Sequence, residues 1–128
     1  MALFSRSTKQ AEARRLVETR EAFAELGQLA LDGVIPISEV TWREKVKVAG
    51  RVKAMRIQPW AEKVVSLELT LADSTGGVTV VFLGRRQLGG VHLGTHLVVD
   101  GMTSEHHGLL TILNPNYQLL PLEVPLPH

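Results

Sequence analysis

The sequence predicts an all-β domain, a small closed barrel of five strands led by one amphipathic helix, and three observations carry that prediction. Apolar residues recur with a period of two from Trp42 onward, the pattern of half-buried strands. Turn formers interrupt the pattern at short intervals, most densely at Asp73-Ser74-Thr75-Gly76-Gly77. The first strand is long and changes phase midway, which suits a strand shared between two sheets.

Residues 1–33 form a separate segment rich in Ala, Glu, Arg and Leu. Leu16, Phe23, Leu26 and Ala30 fall at helical spacing and predict a helix over residues 8–31. Ser7 with Gln10 resembles a capping box, and Gly33 suits the position just past the helix end. The apolar stripe is narrow, so this helix needs a surface to pack on, either its own domain or a second copy. Residues 34–41 read as an extended linker, because Pro36 disfavours helix at Ile35.

The barrel is expected over residues 42–120. In its first strand Val46, Val48, Gly50 and Val52 alternate with Lys45, Lys47, Arg51 and Lys53, giving one apolar and one basic face. Met55 and Ile57 are out of phase with that set, which predicts a bulge near Ala54. The second strand is Val64–Ala72, with Val65, Leu67, Leu69 and Leu71 inward, and the third is Val78–Leu83, with Val80 and Phe82 inward. Leu97, Val99 and Gly101 mark the fourth. The fifth runs from Leu109 to Asn114 and stops at Pro115, which has no N–H for a ladder. His106-His107-Gly108 reads as the turn between these two. Residues 121–128 hold three prolines and form a tail. A five-stranded Greek-key barrel of strand order 1-2-3-5-4-1 is the OB-fold.

Composition narrows the function. At 128 residues the chain supports one domain, large enough to bury roughly two-thirds of its unfolded surface. It has no cysteine, so disulfides and thiolate metal sites are excluded. There is no signal-like apolar region and no stretch near the ~18 apolar residues of a membrane span. The expected location is the cytoplasm, with no membrane partner. No G-x-S-x-G elbow organises the Ser, His and Asp residues, and the five histidines lack a metal-binding spacing. The expectation is a non-enzymatic protein with no cofactor and no metal.

The net charge of +1 hides an uneven distribution: residues 34–72 carry seven Lys/Arg against four Asp/Glu. A basic segment of this kind fits a polyanion. OB-folds bind strands across their second and third strands, between the loops that join strands one to two and four to five. In this sequence the first loop, IQPWAEKV, follows Arg56 and contains Trp60 and Lys63; the other contains His106 and His107. Arg85 and Arg86 follow the third strand, and Arg51 and Lys53 lie on the basic face of the first. Arg and Lys neutralise phosphates, whereas Trp and His can stack on bases. Asp73 and Gly76 are assigned to the turn itself, Asp as its cap and Gly for a positive φ.

Two features point elsewhere. Only six residues are aromatic, and the outward set of strands two and three (Val64, Ser66, Glu68, Thr70, Thr79, Val81, Leu83) contains none of them. Glu68 there would repel phosphate, while Val81 and Leu83 make an apolar strip that a helix or another protein could cover. The alternative reading is therefore a protein-interaction OB domain working through the helix and this strip.

Taken in order, VKVAGRV, LELTLADSTGGVTVVFLGRRQL, LGTHLVVDG and TILNPNYQLL resemble the OB-fold wedge domain of the RecG branch-migration helicases. They also resemble short stand-alone actinobacterial OB-fold nucleic-acid-binding proteins. The resemblance spans Val46 to Leu120. It implies a barrel that contacts single-stranded or branched nucleic acid, DNA ahead of RNA. No G-x-x-x-x-G-K-[ST] loop is present, so no helicase motor comes with it.

Overall fold

One long strand organises the barrel. A computed structural model describes residues 2–128, and the side chains from Gln10 onward except those of Leu16, Val17, Thr19, Arg20, Phe23 and Ala24. Strand β1 (Lys45–Ala61) has 17 residues. Its first half pairs antiparallel with a later strand (His96–His106), from Lys45↔Met102 to Arg51↔His96. Its second half pairs with β2 (Val64–Ala72), from Arg51↔Ala72 to Ala61↔Val64. The hand-over falls at a register shift between Val52 and Ala54, where the apolar phase slips in the sequence. Gly50 lies beside it, and a Cβ there would stand 2.7 Å from the Ala72 carbonyl oxygen. Only glycine lets the two strands approach so closely.

Strand β3 (Gly77–Leu83) pairs antiparallel with β2. The strand His96–His106 is β4, and β5 (Leu109–Leu113) pairs antiparallel with it and parallel with β3. The ring runs β1-β2-β3-β5-β4 and closes through β1–β4, the order the sequence predicts. Inside it Val48, Leu69, Leu71, Val80, Leu97 and Ile112 are fully buried.

The sequence reading missed a sixth strand, β6 (Asn116–Leu120). Residues Thr103–His106 of β4 face β5, and His96–Asp100 of the same strand face β6, so β5 and β6 follow one path with a kink between them. The kink is Asn114-Pro115. Asn114 takes a left-handed φ of 46°. Its N–H donates to the Val81 carbonyl at 2.7 Å, and its Oδ1 accepts from the Leu83 N–H at 2.8 Å. Pro115 does end β5 as expected, but the ladder resumes one residue later.

Helix α1 spans Ala2–Ala30, so Ser7 and Gln10 lie within it rather than capping it. Gly33, at φ 80°, follows its end. Ala30 packs with Ala49, Val98 and Leu120 in a small cluster outside the barrel, flanked by Leu31, Val34 and Leu126. Val124 is buried there too, and a Cβ on Gly27 would collide with it. The C-terminal residues thus fold back onto the helix end. Of the expected packing stripe, Ala30 is buried and Leu26 is exposed, while the Leu16 and Phe23 side chains lie outside the described residues. The helix therefore covers Ala49 and Val98, not Val81. Val81 is only 1% exposed, set between Glu68 of β2 and Leu113 of β5, and it offers no open apolar strip.

The linker is pinned by one carboxylate. After a 3-10 turn at Ile37–Glu39, the chain is held through Asp73, whose Oδ2 accepts from the Ile37 N–H at 2.9 Å. Oδ1 accepts from the Thr75 hydroxyl at 2.5 Å and from the N–H groups of Thr75 and Gly76 at 2.7 and 3.0 Å. Asp73 caps the turn as expected, but Gly76 does not take the positive φ expected of it. Partial burial pushes the Asp73 pKa up, but these hydrogen bonds outweigh it and hold the carboxyl below its ordinary value. A depressed carboxyl stabilises the fold above the unfolded pKa of about 3.9, and that stabilisation fades as pH falls through the folded value. Asp73→Asn is expected to cost about 1–2 kcal/mol at neutral pH. Thermal melts from pH 7 down to about pH 2.5 should show the gap between variant and parent closing below the ordinary Asp range. A gap that stays constant with pH would assign the loss to shape rather than charge.

Candidate nucleic-acid interface

The segment expected to be the first loop is strand. β1 continues to Ala61 and turns into β2 over Glu62 and Lys63, so Trp60 rides on a hairpin arm. Lys63 sits at the tip with φ 62°. A second register shift lies between Pro59 and Ala61, which makes Trp60 a bulge residue. Bulges re-aim side chains. This one lays the indole on His106, the last residue of β4, with ring centroids 3.7 Å apart and planes 14° apart. His107 meets His106 edge-on at 4.0 Å. His107 and Gly108 both have positive φ, as the two-residue β4–β5 turn requires. Three rings singled out in the sequence are thus brought together, and the stack ties the β1–β2 hairpin to the β4–β5 hairpin.

The cations divide into groups. Arg56 faces Glu68 across β1–β2 and forms an ion pair with it at 2.8 Å. With the Gln58 amide oxygen turned toward it, the guanidinium also donates from Nε at 3.0 Å and Nη1 at 3.1 Å. That ion pair offsets the repulsion Glu68 would exert on a phosphate, and it ties up part of Arg56. Gly84 donates its N–H to the Val65 carbonyl at 2.7 Å, which sets the exposed Arg85 and Arg86 beside the start of β2. Arg85 also lines a groove of about 510 Å³ with Phe82, Leu83, Asn114 and Tyr117. Tyr117 packs edge-on against Phe82 at 5.5 Å.

Arg51 and Lys53 are exposed but stand apart from the stack. Arg51 is nine residues down β1 from Trp60, about 30 Å along an extended strand. It lines a separate groove with His92, Gly94, His96 and Leu119. Sequence reasoning also passed over Trp42. It is 48% exposed and, with Arg43 at φ 59°, lines a groove with Ser104 and Glu105, the two residues before His106. The sequence signal was available: a tryptophan beside an arginine, just before the first strand.

No family model and no curated protein sequence matches the chain. Solved structures do. The second OB-fold domain of replication protein A from Methanococcus maripaludis is 21% identical, with a TM-score of 0.56 over 72% of this chain and 97% of that one. The OB domain of Ta0387 from Thermoplasma acidophilum is 14% identical, with a TM-score of 0.59 over 74% and 93%. RecG bound to a three-way DNA junction is 18% identical, with a TM-score of 0.52 over 70% of this chain and 13% of that much longer one. The chain is an OB-fold domain. Its likeness to RecG agrees with the resemblance carried by its motifs.

Proposed function

We propose that this protein is a non-enzymatic module that binds nucleic acid, single-stranded or branched DNA ahead of RNA. The observation that supports the reading best is the Trp60–His106 stack, with the exposed Lys63 close by on the same hairpin and His107 beside it. A half-buried indole held flat by a second ring is preorganised to take a base on its free face, and the lysine can neutralise a phosphate. Arg85 and Arg86 extend the cationic surface from the start of β2. Arg56 contributes less than its position promised, because Glu68 already engages it.

A salt titration with single-stranded, duplex and forked oligonucleotides tests this. Alanine at Lys63, Arg85 and Arg86 together should weaken binding about equally for all sequences. The slope of log K against log salt should flatten by up to about 2 for single strands. An unchanged affinity would remove these residues from the interface. A second reading, protein interaction through the helix, is favoured by Leu26 and Leu29, which are 58% and 69% exposed. It predicts little oligonucleotide affinity at about 150 mM salt.

A further inference from the structure

Both ends of β1 return to the same stretch of β4. Its first residue, Lys45, lies opposite Met102, and Trp60 near its other end stacks on His106. Just before Lys45 the chain turns at Trp42-Arg43, and one threonine ties both flanks of that turn to β4. The Thr103 hydroxyl donates to the Thr41 carbonyl at 2.6 Å and accepts from the Glu44 N–H at 2.9 Å. The Thr103 N–H donates to the Glu44 carbonyl at 2.9 Å. Thr103 is buried, so these bonds are shielded from competing water.

The turn is fixed at its base and bare at its tip. Trp42 is half-exposed, and Arg43 is exposed beside it with no ion pair to another described residue. Arg43 takes φ 59°, a left-handed backbone that residues other than glycine rarely adopt. Strain of this kind persists where the surroundings impose it, and it gathers at ligand clamps. Glycine would relax the turn, yet a cation stands there. The tip lies beside the stretch of β4 that leads to the stacked rings. Trp42 and Arg43 share a groove of about 660 Å³ with Ser104 and Glu105. Ser104 and His106 are two residues apart on one face of the strand, about 7 Å from each other. Glu105 repels a phosphate in that groove and Arg43 attracts one, so an uncharged base ring suits the space beside the indole. The outward faces of β2 and β3, by contrast, hold no aromatic residue.

We propose that Trp42 is a second base-stacking platform, an inference that rests on nucleic-acid binding at the Trp60 hairpin. One unpaired strand runs along the end of β4, from the Trp60–His106 stack to the Trp42-Arg43 turn, rather than across β2 and β3. A duplex keeps its bases paired and stacked on one another, so only unpaired nucleotides reach both indoles. Replacing Trp60 by Phe leaves Trp42 as the one indole of the chain. An oligothymidylate of about 12 nucleotides, within the roughly 4–16 that an OB-fold covers, should quench its emission, and a blunt duplex of equal length should not. Trp42→Ala should raise Kd for the oligothymidylate roughly 5- to 150-fold and leave an abasic strand of the same length nearly unchanged. Trp42→Phe should restore most of the affinity. A purely structural role for Trp42 would weaken the two strands alike and overturn the proposal. Tight binding with unchanged Trp42 emission overturns this path alone and leaves the Trp60 site standing. Equal quenching by the duplex also overturns it, and a parent that binds no oligonucleotide overturns both readings.

Discussion

Trp60→Ala is expected to weaken oligonucleotide binding by about 1–3 kcal/mol, the worth of one stacked base. At about 1.4 kcal/mol per decade this is roughly a 5- to 150-fold rise in Kd. The salt slope should hardly move, because no phosphate contact is lost. His106→Ala should cost less. The indole remains, but the ring that fixes its plane at 14° is gone, so the loss is one of preorganisation. The barrel should survive both changes, since Trp60 sits on a hairpin arm outside the buried core. Fluorescence gives a direct reading once Trp42, the second tryptophan and 48% exposed, is replaced by Phe. Oligonucleotide should then quench the remaining indole. Unchanged affinity in Trp60→Ala, with no quenching in the parent, would move the working surface off this hairpin.

The strands were legible in the sequence because each one has two chemically different faces. Val46, Val48 and Val52 against Lys45, Lys47 and Lys53 leave one possible orientation for β1, and the phase slip at Ala54 locates its bend. What the sequence concealed has physical reasons. Pro59 and its polar neighbours look like loop, yet among the described residues this half of β1 has β2 as its only strand partner, and a free edge tolerates a proline. Pro115 looked terminal for a related reason. The ladder survives it because Asn114 takes up the kink and makes two hydrogen bonds to β3. For the candidate site, residue types were readable and contacts were not. Nothing in the local pattern around Trp60 or His106 records that the two rings meet, because the barrel brings together segments far apart in the chain. Likewise, Arg56 reads as a free cation until the register sets Glu68 opposite it.

The largest effect on stability is expected from Leu69→Ala. Leu69 sits at the centre of β2, opposite Met55 of β1 and Val80 of β3, with no exposed surface. Its side chain joins the walls that β1, β2 and β3 contribute to the same core. Truncation removes buried methyl groups and leaves a cavity that the ring is poorly able to collapse, since β2 is held by hydrogen bonds on both sides, to β1 and to β3. The expected loss is about 2–5 kcal/mol, a large part of the roughly 5–15 kcal/mol by which domains of this size are stable. Leu29→Ala is the matched control. That leucine is 69% exposed on the helix, so the barrel should melt as before. Urea unfolding followed by near-UV dichroism separates the two, because Leu69→Ala should lower the midpoint with little change in m. An unfolding free energy within about 0.5 kcal/mol of the parent would mean that the barrel is not closed around Leu69.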